Sequence, residues 1–139
     1  MKKAFGFVLA AASLLLTSGA QAQGLHVRAN VPFDFAVGNK LYTAGSYDIQ
    51  GTAQGNESVI LKAEGGRGEG ISMSHACSSA KPAANTVLVF ERMGGEYYLA
   101  QIWRAGSDTG TELPKPTREM RLARGGKTEE VVIAANLVK

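Results

Sequence analysis

The chain has 139 residues, is 45% hydrophobic and 19% charged, and carries a formal net charge of +3. That is the size and composition of one globular domain, and it excludes a collagen-like, low-complexity or disulfide-built chain, since there is a single cysteine. Lys2 and Lys3 supply two of those positive charges, so the sequence from Gln23 on is close to neutral (+1) and gives no electrostatic case for nucleic acid.

The first residues have the pattern of a secretory signal. A basic start at Lys2-Lys3 is followed by an apolar stretch, Ala4 to Ser18, too short to span a bilayer, and then by the small-x-small triplet Ala20-Gln21-Ala22. The expected cleavage point is after Ala22, leaving residues 23–139 as one exported domain, periplasmic or secreted. No later apolar run has the length of a membrane helix. Cys77 is the lone cysteine, so an internal bridge is impossible. A buried thiol and an intermolecular bridge are both open.

Short alternating strands follow one another. Leu25–Val31 is a first strand, stopped by Pro32. Phe33, Phe35 and Val37 form one face of the next, and Gly38-Asn39 and Ala44-Gly45 make turns around it. Tyr47 and Ile49 mark the inner face of a further strand, and Val59, Ile60 and Leu61 the centre of another. Glu64–Gly70 is a glycine-rich connection, Ile71–Ala76 a weaker strand, and Ser78–Asn85 a loop of small residues.

The segment Thr86–Ala105 is the strongest signal. Two apolar arms flank Gly94-Gly95, the pair that a two-residue hairpin turn prefers. Taking that pair as the loop sets Met93 opposite Glu96, Arg92 opposite Tyr97, Phe90 opposite Leu99, Leu88 opposite Gln101 and Thr86 opposite Trp103. Both faces are then largely apolar, as expected for the centre of a core. The turn end gathers Glu91, Arg92 and Glu96, and Arg92 beside Tyr97 is a candidate cation–π pair. Arg92, Tyr97, Tyr98 and Trp103 are therefore the candidate ligand-contact residues.

Gly106–Lys115 reads as polar loop. Thr117–Arg124 suits a helical turn or two, capped by Thr117 and ended by Gly125, and Glu129–Leu137 is a closing strand. The expected fold is all-β and mainly antiparallel: a small up-and-down barrel or sandwich of about eight short strands, with one short helix before the last.

Several residue sets suggest chemistry and fall short of it. His75-Ala76-Cys77 puts two metal-ligand types two apart on a strand, but zinc needs three or four ligands and no third is placed. The same pair lacks the orienting group of a Cys–His nucleophile. Asp108-Thr109-Gly110 spells the aspartic-protease tripeptide, yet it sits in a polar loop, where Asp and Gly are ordinary turn residues. Gly65–Gly70 lacks the following helix that a phosphate cradle uses. Arg118, Arg121 and Arg124 make a basic stripe, a solvated face or else a patch for an anionic or envelope partner. No motif calls for a cofactor or a metal.

Two blocks carry a resemblance. Val31-Pro32-Phe33-Asp34-Phe35 with Val37-Gly38-Asn39-Lys40 and Ala44-Gly45-Ser46-Tyr47 is the first. The second is Leu88-Val89-Phe90, Arg92, Gly94, Tyr97-Tyr98-Leu99, Gln101-Ile102-Trp103, Gly110, Glu112-Leu113-Pro114-Lys115 and Glu119. Together they resemble a group of uncharacterised secreted bacterial proteins, across nearly the whole exported part. The resemblance implies one exported domain and no particular activity. Tyr42-Thr43 replace the Leu-Pro usual in that group, and Glu91 stands in place of a His.

The leading expectation is thus a non-enzymatic exported domain, binding or structural. The alternatives are a carrier holding a small apolar ligand in a barrel cavity, and a hydrolase with a site near His75.

Overall fold

The computed structural model describes residues 24–51, 58–66, 68–123, 125 and 127–138. The stretch expected to be a secretory signal, with its expected cleavage point, lies outside them. Twelve strands and one helix occur among the described residues: β1 (His26–Val31), β2 (Phe35–Val37), β3 (Lys40–Tyr42), β4 (Gly45–Gly51), β5 (Ser58–Ala63), β6 (Glu69–Met73), β7 (His75–Ser78), β8 (Val87–Met93), β9 (Glu96–Trp103), β10 (Thr109–Glu112), α1 (Arg118–Ala123), β11 (Glu129–Ala134) and β12 (Asn136–Leu137).

The fold is all-β and dominated by antiparallel pairing. Of the two architectures expected, it is the sandwich: the strands form two sheets and do not close into a barrel. The first sheet has the order β12-β1-β4-β5-β6. The second has the order β11-β8-β9-β10-β7, with β2 and β3 attached to it. The chain moves between the layers repeatedly, because β1, β4–β6 and β12 belong to the first and the remaining strands to the second. The count rises from about eight to twelve in part because long runs are cut at crossings. At Ser74, which is buried, the expected single strand over 71–76 splits into β6 and β7 in different sheets. At Ala135 the closing run splits likewise into β11 and β12.

Side chains alternate along each strand, and the inward set fills the space between the layers. Val27, Ala29, Tyr47, Ile49, Val59 and Leu61 come from the first sheet. Leu88, Phe90, Leu99 and Ile102 come from the second and form one cluster with them. Its centre is aromatic. Phe35 meets Tyr47 and Phe90 edge-on, at 5.1 and 5.4 Å between centroids, and Phe33 meets Phe90 edge-on at 5.0 Å. Ring quadrupoles favour this arrangement. Phe90 is fully buried.

The central hairpin forms as expected at its turn. Gly94 and Gly95 both have positive φ, 56° and 82°, which a two-residue turn of this hand requires and only glycine adopts freely. The expected register holds from Met93↔Glu96 to Phe90↔Leu99. Beyond that it is off by one: Val89 lies opposite Gln101, Leu88 opposite Ile102 and Val87 opposite Trp103. Ala100 is the extra residue of a β-bulge. Its carbonyl accepts the Leu113 N–H at 2.8 Å, so a contact 13 positions away uses the group that the bulge frees.

The edge of β9 away from β8 is shared. β10 takes it at Gln101 and Ile102, and β2 takes it, in parallel, at Tyr97 and Tyr98. The stretch expected as polar loop therefore contains a sheet strand, β10, which also pairs with β7.

Candidate functional site

The bulge gives the hairpin two different ends. Before it, Tyr97 and Leu99 point into the sandwich and Tyr98 points out. After it, Ile102 points in, while Gln101 and Trp103 point out. The four candidate contact residues are consequently not one surface. Tyr97 is at the turn end on the inner side, Tyr98 is on the outer side, and Trp103 is on the outer side at the far end, roughly 15 Å from Tyr98 at the usual strand rise.

At the turn end, the Tyr97 ring stacks on Phe33 with centroids 3.8 Å apart and planes 17° from parallel. The Arg92 guanidinium lies 5.6 Å from the Tyr97 ring centre, which is the expected cation–π pair, and its Nη1 also meets Glu129 at 3.8 Å. Tyr98 is buried with Ala36 and Met93 in a small cluster of its own, and its hydroxyl donates to Glu96 Oε2 at 3.0 Å. Where β2 takes over the edge of β9, a surface cleft of about 370 Å³ opens. Phe35, Ala36, Leu41, Tyr42 and Tyr97 wall it, and the carboxylates of Asp34 and Glu96 stand on it. Leu41 is 79% exposed, an apolar side chain left on the rim. Asp34 Oδ1 accepts the Ala44 N–H at 2.8 Å, so this carboxylate also pins the Ala44-Gly45 turn. Burial first and Tyr47 second push the Tyr42 phenol up, so it stays a neutral wall residue.

At the base end, the outer face carries Val87, Val89 and Val132 beside Gln101 and Trp103. The loop over residues 79–85 borders this face, and together they enclose an open trough of about 460 Å³. Ala83 fixes the loop to the next turn: its N–H donates to the Ser107 carbonyl at 3.0 Å and its carbonyl accepts from Gly106 at 2.8 Å.

The residue sets with chemical promise fall as follows. His75 and Cys77 lie on β7, opposite Glu112 and Gly110 of β10. Among the described residues no group of three or more His, Cys, Asp or Glu side chains is arranged to hold a metal. Burial first and the negative charge of Glu112 second push the Cys77 thiol up, away from the thiolate that nucleophilic chemistry needs. Asp108 is exposed in the turn before β10, its carbonyl accepting the Ser79 N–H at 2.8 Å. Gly65 and Gly66, with φ of 84° and 72°, make the turn between β5 and β6. In the basic stripe Arg121 is half-buried, whereas Arg124 and the Arg118 side chain lie outside the described residues. Lys115 is paired with Glu112 at 3.5 Å.

A polar cluster not singled out in the sequence sits on the outer face of the first sheet. His26 Nε2 meets both Asp48 oxygens at 2.9 and 3.0 Å, Gln50 Nε2 donates to Oδ1 at 3.1 Å, and Arg28 Nη2 donates to Oδ2 at 3.3 Å. Burial alone would raise the Asp48 carboxyl, but these hydrogen bonds outweigh it and hold the group below its ordinary range. The strand pairing that assembles the cluster, His26 with Gln50 and Arg28 with Asp48, joins residues 20 or more apart, so local sequence holds no sign of it.

No protein-family model, curated protein or solved structure matches the chain. No helix among the described residues is long and apolar enough to cross a membrane.

Proposed function

We propose that the chain is an exported, non-enzymatic binding domain whose principal contact site is the cleft at the turn end of the central hairpin. The observation that carries this reading is the cleft itself: aromatic and aliphatic walls, with two carboxylates on them and an exposed leucine at the rim. Its volume is in the range of small-molecule sites. Apolar walls take an aromatic or alkyl group, and Asp34 and Glu96 favour a positive charge at its end. The ligand class is therefore a small apolar cation, or an apolar side chain next to a basic one on a partner. Export is supported by the Lys2-Lys3 start, the apolar stretch and Ala20-Gln21-Ala22.

Carriage of an apolar ligand inside the sandwich has less support, because aromatic rings in mutual contact occupy its centre. A hydrolase near His75 has less support too, since Cys77 is held protonated.

The reading is tested by titrating the purified protein with phenethylammonium while following backbone amide shifts. Saturable shifts confined to residues 34–43 and 95–97, lost in Tyr97→Ala and weakened in Glu96→Gln, are expected. Shifts elsewhere, no saturation, or a defined hydrolytic turnover by the purified protein would overturn it. N-terminal sequencing of the protein made with its first 22 residues should begin at Gln23, and an uncleaved product would count against export.

A further inference from the structure

We infer that the outer face of the second sheet is a second binding platform, built on Trp103 and suited to a neutral oligosaccharide.

The platform begins with Gly110. A Cβ placed there would lie 2.7, 2.8 and 2.9 Å from Cε3, Cδ2 and Cζ3 of Trp103. Three adjacent ring atoms at nearly equal distance place that point over the ring face, not beside its edge. The indole therefore lies flat on the backbone of β10, and any side chain larger than hydrogen at position 110 would lift it. One face of the ring is taken by Gly110, and Trp103 is only half-buried and lines the trough. Its second face is the one presented outward.

The ring is also held in orientation. Its Nε1–H donates to Gln101 Oε1 at 3.0 Å. This satisfies the indole donor and turns the Gln101 carbonyl inward, leaving the two donors of its –NH2 group for a ligand. A flat aromatic side chain, seated from behind and tied at its polar edge, offers a preformed stacking surface with little conformational entropy left to lose.

The surroundings select the occupant. Apolar support comes from Val87, Val89 and Val132, the last 52% exposed. Hydrogen-bonding groups come from Gln101 and Asn85, and the charges on the trough are one of each sign, Lys81 and Glu130. A phosphate-bearing ligand would call for more cations than this. A wholly apolar ligand would call for enclosure, and the trough is open to solvent along its length. A pyranose ring has an apolar face for the indole and hydroxyls for the amides, and it keeps its other side in water. Several linked rings would run along the trough, over the valines. This platform is separate from the turn-end cleft, and neither depends on the other.

Titration with cellohexaose, chitohexaose and maltohexaose, read by emission of the single tryptophan and by amide shifts, tests the inference. Saturable binding of at least one hexaose is expected, with shifts on residues 79–89, 101–103 and 130–132. Trp103→Ala should weaken it at least roughly tenfold, Trp103→Tyr should restore part of the loss, and Tyr97→Ala should leave it unchanged. Far-ultraviolet circular dichroism of each variant confirms that the sheet is intact. If Trp103→Ala fails to fold, Asn85→Ala and Lys81→Ala, both in the exposed loop, take its place with the same expected direction. The inference is overturned if no hexaose binds more tightly than roughly 1 mM, if binding survives all of these changes, or if a proline-rich peptide saturates the platform and no hexaose does.

Discussion

The two sheets turn outer faces to solvent that are built on the same strand alternation but treat their polar groups in opposite ways. On the first sheet a row of side chains runs Arg28, Asp48, Lys62, Glu69 across four neighbouring strands, alternating in sign. Arg28 meets Asp48 at 3.3 Å and Glu64 at 3.5 Å, Lys62 meets Glu69 at 4.0 Å, and His26 and Gln50 complete the partners of Asp48. That row is internally paired. On the second sheet the corresponding face carries valines, a half-buried indole, and Glu91 directly opposite Glu130. A face that answers its own charges has little left for a ligand. One that leaves an aromatic plane and two facing carboxylates is organised for something outside itself.

The difference originates in one residue. Without the bulge at Ala100, the parity of β9 would continue unbroken, Trp103 would share the inner face with Tyr97 and Leu99, and Ile102 would face solvent. Deleting Ala100 is the most direct test of the bulge. The ladder then closes with Gln101, Ile102 and Trp103 on their present sides and opposite their present partners, but the carbonyl that binds the buried Leu113 is gone. We expect the deletion variant to lose about 1–3 kcal/mol for the unsatisfied buried Leu113 donor alone, checked by urea titration followed by circular dichroism, with Trp103 still on the outer face. A Trp103 emission shifted toward the blue would show instead that the deletion had turned the indole inward, against this register.

Gly110→Ala is the next largest. The added methyl meets the ring face well inside contact distance, so either Trp103 lifts or β10 shifts. Overpacking of this kind costs about 1–3 kcal/mol. A drop in that range by urea unfolding, together with a red shift of Trp103 emission, is expected. An unchanged spectrum would mean the indole is not seated on Gly110. The equivalent change at Gly106, where φ is 79° but nothing lies near, should leave the emission alone and cost only backbone strain.

How much of this was open to a reader of the sequence depends on the range of the interaction. The hairpin turn, its register as far as Phe90↔Leu99, and the Arg92–Tyr97 pair were legible, because Gly94-Gly95 and strict alternation fix them locally. The bulge was not, because Ala100 is released from β8 by a bond to Leu113, and nothing at Ala100 announces that partner. The strand over 109–112 looked like turn chemistry for the same reason: Asp108, Thr109 and Gly110 are loop-type residues, and only the edges of β9 and β7 make a strand of them. Gly110 was visible as part of a tripeptide and of the resemblance, while its use depends on a ring seven residues earlier. The turn-end cleft joins residues 34–43 to 95–97, two segments more than 50 apart, and local sequence cannot pair them.

Glu91→Lys sharpens the contrast between the faces. Glu91 and Glu130 are directly opposed on neighbouring strands, and like charges in that position are unfavourable. Reversing one should raise stability by about 0.2–1 kcal/mol, measurable as an upward shift in the urea midpoint that fades at high salt. The same reversal at Lys62, opposite Glu69 on the first sheet, should act in the other direction. If both changes had the same sign, the two faces would not differ in the way argued.

The smallest effect is confined to acid. The Asp48 carboxyl is held below its ordinary range by His26, Gln50 and Arg28 against the opposing pull of burial, so in the folded state it gives up its proton at a lower pH than in the unfolded chain. Between those two values the unfolded chain binds more protons, and stability rises with pH. The contribution of Asp48 is therefore complete above its unfolded value of about 4 and is lost as pH falls through the folded value. Urea unfolding of the parent and of Asp48→Asn should differ by a constant amount from about pH 5 upward and converge in more acid solution. Parallel curves for Asp48→Asn and the parent down to strong acid would mean that the charged row of the first sheet is arranged side by side without being energetically joined, and the contrast with the second sheet would then rest on Trp103 alone.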